Sequence, residues 1–393
     1  MLKKIGLLPR LVIGIILGII IGLISRSIEN YIIIRLFSTF TGIFGNFLNF
    51  IIPFIIIGFV APGIADLGKG AGKLLGITAF IAYISAITAG IIAFFIGSAI
   101  LPSIIKAGEV GQKTAVNLSG YFNIEMPPMM GVMTALITAF ILGIGMAYIK
   151  GRSLFEALTD FQNIVEGVVK KVLIPLIPFH IAGIFSRLTA AGEIFKTLKA
   201  FSSVFALIIT LQLSYIIIQY IVAWVVSKKN PFICIKNMLP AYFTALGTQS
   251  SAATIPVTIQ SARKNEISED IIDFVIPLGA TIHLAGDTIT LVLASMGVML
   301  ISGQTPTFAT MLPFILMLGI TMVAAPGIPG GGVYAALGLL QNMLLFTKAQ
   351  QGLMIALHFA QDSFGTATNV TGDGAIAILI DSIAKRRKEI NKK

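Results

Sequence analysis

The sequence predicts an all-α polytopic membrane protein, with eight transmembrane helices plus two re-entrant helical hairpins related as inverted repeats. Three observations predict it. The 393 residues are 56% hydrophobic and only 11% charged, with a mean hydropathy of +0.94, whereas soluble domains carry about 25% charged residues. Windows long enough to span a bilayer, about 20 predominantly apolar residues, recur along the whole chain. Two apolar segments are broken by polar and helix-interrupting residues in a way that a lipid-facing span does not tolerate.

The apolar windows lie near residues 7–24, 47–64, 74–101, 129–149, 169–184, 205–226, 274–301, 308–323 and 353–383. The first is too long for a cleavable signal peptide, and no small-residue cleavage site follows it before the next apolar run. The first interrupted segment is "NPFICIKNMLPAYFTALGTQSSAATIPVTIQSARKNEIS". Ser250, Ser251 and Thr254 compete there for backbone hydrogen bonds, and Pro256 removes a donor. Lys228, Lys229 and Lys236 precede the break while Arg263 and Lys264 follow it, so the segment enters and leaves on the cytoplasmic side. The second is "GITMVAAPGIPGGGVYAALGLLQ", broken by Pro326, Gly327, Pro329 and Gly330–Gly332. No Lys or Arg stands between Lys264 and Lys348, so it reads as a hairpin entering from outside. A kinked helix or a plain loop is the alternative for each. Paired interruptions in the two halves of a chain point to inverted repeats and a midplane site.

A net charge of +11 invites a nucleic-acid reading, which the charge distribution rejects. With eight spans and both termini cytoplasmic, about 18 to 20 of the 28 Lys and Arg fall on the inner side. Lys3, Lys4, Arg10 and the basic tail 385–393 belong to that set; Arg187, Lys196 and Lys199 run against it, and Lys170 and Lys171 stand at the edge of a window. The single cysteine, Cys234, excludes an intrachain disulfide and a cysteine-cluster metal site.

Two polar clusters interrupt the late spans. In "HFAQDSFGTATNVTGDG", helical spacing puts His358, Asp362, Thr366, Asn369 and Asp373 on one stripe. A charge at the bilayer centre costs about 2.5–3.5 kcal/mol on insertion scales. The two carboxylates therefore need a bound cation, a substrate amine or a basic side chain, and His358 is the basic candidate on the stripe. Helix-to-helix polar glue is the alternative. In "IPLGATIHLAGDTITLVLASMGVML", Thr281, His283 and Asp287 break another span, and Gly286 allows local unwinding. His283 and Asp287 are four apart, so a mutually satisfied pair and a binding site at a helix break both remain open.

"TQSSAATIPVT", "PLGATIHLAGD", "PGIPGGG" and "DSFGTATNVTGDG" occur in this order, and together they resemble the dicarboxylate/amino acid:cation symporter family, strongly from about residue 230 to 381. The resemblance implies an elevator-type homotrimer in the cell's inner (plasma) membrane. Its scaffold would be residues 1–73 and 102–198, its transport domain 74–101 and 199–384, with a basic cytoplasmic tail at 385–393. It implies substrate contacts from Ser250 and Ser251, from the second tip at Gly327, Ile328 and Pro329, and from Asp362 (to the α-amino group), Thr366 and Asn369. Asp373, with carbonyls of Gly279 and Asn369, would ligate one Na+; Thr281 with carbonyls near Met322, Val323 and Ala325 would ligate another. Na+ is the implied coupling ion, with H+ as a second candidate, and no organic cofactor is implied.

Departures from the family pattern bear on substrate. Members that take acidic amino acids carry an arginine at the position of Gly365, and Asp287 stands where a neighbouring threonine belongs. Gln249 replaces an arginine that some members carry in the first hairpin, and His283 replaces a sodium-ligating asparagine. A negative group replaces a positive one, so the expectation is an amino acid with a neutral side chain or a distal amine, Asp287 repelling an acidic one. The alternative is a dicarboxylate or acidic amino acid:cation symporter. An anion-leaking channel disagrees with paired gates. An intramembrane aspartyl protease would need Gly where Val370 stands in "NVTGDG".

Overall fold

The structure, a computed structural model, describes residues 7–68, 72–105, 118–149, 152–322, 325 and 330–390. Every regular element among them is helical. In chain order these are α1 (Leu7–Ser27), α2 (Ile32–Gly68), α3 (Gly72–Ile104), α4 (Val132–Ile149), α5 (Arg152–Val168), α6 (Ile174–Ala190), α7 (Ile194–Ser227), α8 (Pro231–Thr248), α9 (Ser251–Arg263), α10 (Glu269–Ile282), α11 (Ala285–Ile301), α12 (Phe308–Met322), α13 (Gly331–Asn342) and α14 (Lys348–Ile390).

Among the described residues, six helical runs are long and apolar enough to cross a membrane: Pro9–Ser27, Ile32–Ala65, Leu74–Ile104, Arg152–Ala190, Ile194–Ser227 and Glu269–Ile301. Two shorter apolar helices, Thr134–Ile149 and Phe308–Met322, accompany them. The 43-residue α14 exceeds the length of a span but carries the polar stripe. Helices dominate because hydrocarbon offers no partner for a backbone N–H or C=O, and a helix satisfies both within itself.

Packing partners follow from residue size. α1 turns Gly14, Gly18 and Gly22 toward α6, where a Cβ at Gly14 would stand 2.5 Å from the Pro178 carbonyl oxygen. Small residues at i, i+4 and i+8 let two backbones approach, the membrane substitute for a hydrophobic drive between helices. α2 runs on through Pro53 and Pro62 and packs against α4, α5 and α6. It begins at Ile32, well before the window read from residue 47, and polar side chains of its apolar first half have partners. Ser38 Oγ donates to the Leu118 carbonyl at 2.9 Å, and Thr39 Oγ1 accepts the Tyr121 N–H at 2.9 Å. α5 and α6 join through a π-helical turn, Val169–Leu173. Lys170 and Lys171 sit in that turn, exposed and well inside the run Arg152–Ala190, so the window edge at residue 169 is not a helix end.

The late helices form a second packing group. α14 lies against α7, α8, α10 and α11, and α11 also against α3. α8 and α9 pack on each other, joined by Gln249 in the left-handed region (φ 54°) and by Ser250. Asn230 caps α8 by accepting the Phe232 N–H at 3.0 Å, ahead of Pro231 in the first turn. α10 and α11 are one span broken at His283 and Leu284. The break falls within the stretch that Thr281, His283 and Asp287 mark in the sequence, but Gly286, which could allow unwinding, lies in the first turn of α11 and serves close approach. A Cβ there would stand 2.5 Å from the Gly365 carbonyl oxygen.

Candidate functional site

The break between α10 and α11 faces the middle of α14, and the buried polar side chains meet there in two tiers. In the upper tier Asp287, in the first turn of α11, uses both carboxylate oxygens. His358 Nε2 lies 2.8 Å from Oδ1, and Asn369 Nδ2 donates to Oδ2 at 2.6 Å. Asn369 Oδ1 accepts the Gly286 N–H at 2.7 Å, so one side chain of α14 holds both the backbone and the carboxylate of the broken helix. Carboxylate and imidazole atoms of Asp287, His358 and Asp362 all lie within 4.8 Å of one another. Asp362 Oδ2 accepts the N–H of Gly330, the left-handed residue (φ 76°) that opens α13. Gln212 of α7 backs this tier, its Nε2 donating to the Gly286 carbonyl at 3.1 Å and to Thr290 Oγ1 at 2.9 Å.

The lower tier centres on His283. Its Nδ1 lies 3.0 Å from Asp373 Oδ1, and its Nε2 lies 3.1 Å from Ser85 Oγ and 3.2 Å from Gln219 Nε2. Tyr215 closes the group by donating to the Ser85 carbonyl at 2.6 Å. The other oxygen of Asp373 is buried and has no hydrogen-bond partner among the described residues. A carboxylate oxygen so placed is costly unless a cation or donor reaches it, so the residues present fit a coupling cation at this point. Gly279 makes room: a Cβ there would stand 2.6 Å from Asp373 Oδ1.

The two imidazole–carboxylate pairs run in opposite senses. In one the broken helix supplies the imidazole and α14 the carboxylate; in the other the roles exchange. Of the two readings open for His283 and Asp287, the local pair does not form. Four residues share a face only along an unbroken helix, and the break at Leu284 turns the two side chains apart. Nor is Asp287 the bare negative group that its sequence position suggests, because His358 faces it.

The structure brings Asp287, Asp362, Gly365, Thr366 and Asn369 together, all but Gly365 among the buried polar residues. A Cβ at Gly365 would stand 3.5 Å from Asp287 Oδ1, so that glycine borders the same space. Ser250 caps α9, its Oγ accepting the Ala253 N–H at 3.2 Å, and Ser251 follows half-buried. Gln249 beside them donates from Nε2 to Ser363 Oγ at 2.8 Å, tying this tip to α14. Thr281 is exposed and its hydroxyl donates to the Leu278 carbonyl of its own helix, apart from the two tiers. Met322 ends α12 as a buried apolar residue and Ala325 is half-buried. Val323, Gly327, Ile328 and Pro329 lie outside the described residues. Sequence reasoning missed Gln212, Tyr215 and Gln219. Their spacing of i, i+3 and i+7 on an otherwise apolar helix is the signal that marks one inward face.

A bundle of apolar helices, with one span broken at a buried polar site and paired helices meeting the same site, defines the secondary-transporter class of membrane protein. The sequence model of the family described as "Sodium:dicarboxylate symporter family" matches residues 7–383, and the chain belongs to that family. Excitatory amino acid transporter 1 of Ambystoma tigrinum is 27% identical over 273 residues, covering 66% of this chain and 50% of that protein. An excitatory amino acid transporter of Caenorhabditis elegans is 24% identical over 294 residues, 72% of this chain and 58% of its own length. Excitatory amino acid transporter 2 of Homo sapiens is 28% identical over 261 residues, 63% of this chain and 44% of its own. The chain thus spans about half the length of the curated relatives it matches. A family of symporters is not one of enzymes, so the aspartyl protease reading is set aside.

Proposed function

We propose that the protein is a secondary active symporter that moves an amino acid or a dicarboxylate across a membrane together with a cation. The observation that carries this is the upper tier: Asp287, His358, Asp362 and Asn369 converge, buried, where the broken span, the start of α13 and α14 meet. In this reading Asp362 receives the substrate's ammonium group, since a buried carboxylate is the natural partner of an ammonium. Ser250, Ser251, Thr366 and Asn369 orient the rest, and the tip at Gly327–Pro329 closes over it. Na+ is the coupling ion, with the unpartnered oxygen of Asp373 as a ligand; H+ is the second candidate.

The names of the family and its relatives favour the acidic amino acid or dicarboxylate reading over a neutral or amine-bearing side chain. Pairing of Asp287 with His358 supports this too, because it removes the like-charge objection. One observation still favours a neutral substrate: Gly365 offers no side-chain anchor for a carboxylate.

The architecture proposed with it has eight spans and two re-entrant hairpins, α8–α9 and α12–α13. A scaffold of α1, α2 and α4–α6 holds a transport domain of α3 and α7–α14 that slides in an elevator movement, within a homotrimer of the plasma membrane with cytoplasmic termini. Uptake into proteoliposomes tests the function. Accumulation of aspartate, glutamate or a dicarboxylate against its gradient, only with an imposed cation gradient, is the expected result. Equilibration without accumulation means a channel. Competition among acidic, neutral and basic amino acids in the same vesicles separates the substrate readings.

A further inference from the structure

We infer that His358 is a specificity-determining residue: by pairing with Asp287 it limits the site to a substrate with at most one ammonium group and shuts out dibasic amino acids. The inference rests on the reading of this cluster as the substrate site, and it concerns a residue that the family motifs leave without a role.

The argument is a count of charge in a space closed to water. Asp287 and Asp362 are both buried, 4% and 5% exposed, and their carboxylates lie within 4.8 Å of each other. Two carboxylates alone would call for two positive partners, because a buried charge survives only when paired. A lysine-like substrate, with its α-ammonium on Asp362 and its distal ammonium on Asp287, would meet that need. His358 already occupies one of the two places, 2.8 Å from Asp287 Oδ1. His358 and Asn369 together take both oxygens of Asp287, which leaves Asp362 as the carboxylate of the cluster for a single α-ammonium. A second ammonium would find Asp287 already engaged.

The pair is built in rather than incidental. Asn369 holds the other oxygen of Asp287, so the carboxylate cannot swing to a newcomer without losing a 2.6 Å hydrogen bond. α13 seals it from the other side: a Cβ at Gly332 would stand 2.9 Å from Asp287 Oδ1 and 3.0 Å from His358 Nε2. Across the pair, Gly365 packs on Asp287 without a side chain of its own, a Cβ there standing 3.5 Å from Asp287 Oδ1. The same count predicts the reverse change. Removing the charge of Asp287 takes a negative group out of the cluster, which favours a substrate carboxylate at that point.

Thermal stabilisation of the purified full-length chain by L-lysine, L-aspartate and succinate, titrated in Na+ buffer, provides the test. L-lysine is expected to leave the parent unshifted. His358→Gln, close in size and without the charge, should gain L-lysine affinity by about tenfold or more, and His358→Gln with Asp287→Asn should lose it again. Asp287→Asn alone should gain affinity for L-aspartate or succinate by a similar factor. The inference is overturned if L-lysine stabilises the parent as well as L-aspartate does, or if folded His358→Gln stays indifferent to L-lysine. Should His358→Gln fail to fold, Asp287→Asn decides: an unaltered order of preference refutes the proposal. Asp362→Asn in the same assay separates the two levels. Full retention of amino acid binding there would overturn the site reading itself and the inference with it. Loss there, with unchanged selectivity in the other variants, would overturn the inference alone.

Discussion

Asp362→Asn isolates the charge of one carboxylate from its shape. The asparagine keeps an oxygen to accept the Gly330 N–H, a contact of 3.0 Å that ties α14 to the start of α13. Volume is nearly unchanged at a residue only 5% exposed, so folding and the α13 contact should survive. What is lost is a buried anion, the one that the proposed function sets against the substrate's ammonium. Truncating one partner of a buried charged pair costs about 2–5 kcal/mol, which lowers affinity by about 30-fold to a few thousandfold. Isothermal titration or thermal-shift titration with the preferred amino acid measures it directly. A dicarboxylate without an amine gives the internal control, since it should bind the variant at least as well as the parent. An Asn variant with parental affinity for an amine-bearing substrate would refute the assignment, because no other anion in the cluster is unpaired enough to replace Asp362.

Asp373→Ala should abolish cation-driven uptake while the protein still folds, read as loss of Na+-dependent accumulation with an unchanged gel-filtration profile; unaltered Na+ dependence would remove Asp373 from the coupling site. Gly286→Ala should lower stability by about 1–3 kcal/mol, because its Cβ would meet the Gly365 carbonyl oxygen at 2.5 Å and backbone cannot yield cheaply; a thermal midpoint equal to the parent's would show that α11 and α14 do not approach so closely. Gln249→Ala should weaken substrate binding severalfold by releasing the α8–α9 tip from Ser363, a loss of about one hydrogen bond of 0.5–1.5 kcal/mol. If Gln249→Ala binds as the parent does, that tip is positioned by its own backbone.

Much of this site is legible in the sequence because α14 is unbroken. Periodicity transmits side-chain direction along a continuous helix, so the stripe from His358 to Asp373 reads correctly from spacing alone. The same rule misleads across a break. His283 and Asp287 are four apart, yet Leu284 leaves the helical region (φ −118°, ψ 51°) and the two residues face different partners. Burial partners from distant segments are illegible for another reason. Ser85 stands 198 residues before His283, and Gln212 stands 74 before Gly286, so only the tertiary fold places them together. Helix ends are misplaced where scattered polar residues interrupt an apolar run that still folds as one helix. The first half of α2 is the example: Ser38, Thr39 and Asn46 stand in it, and Asn46 donates to Asn123 Oδ1 at 2.8 Å.

The opposed senses of the two imidazole–carboxylate pairs constrain how this lineage can change. Removing one member of a buried ion pair costs about 3–5 kcal/mol, most of a membrane helix bundle's tolerance for a single exchange. Positions 283 and 373 are therefore expected to drift together, as are 287 and 358, each couple crossing its valley in two closely spaced substitutions. Each couple is held by further residues, the second by Asn369 and the first by Ser85 and Gln219 on His283, so neither drifts alone. If the proposed roles hold, descendants that alter their driving ion while keeping their cargo would carry the scars at 283 and 373, and those that alter cargo at 287 and 358.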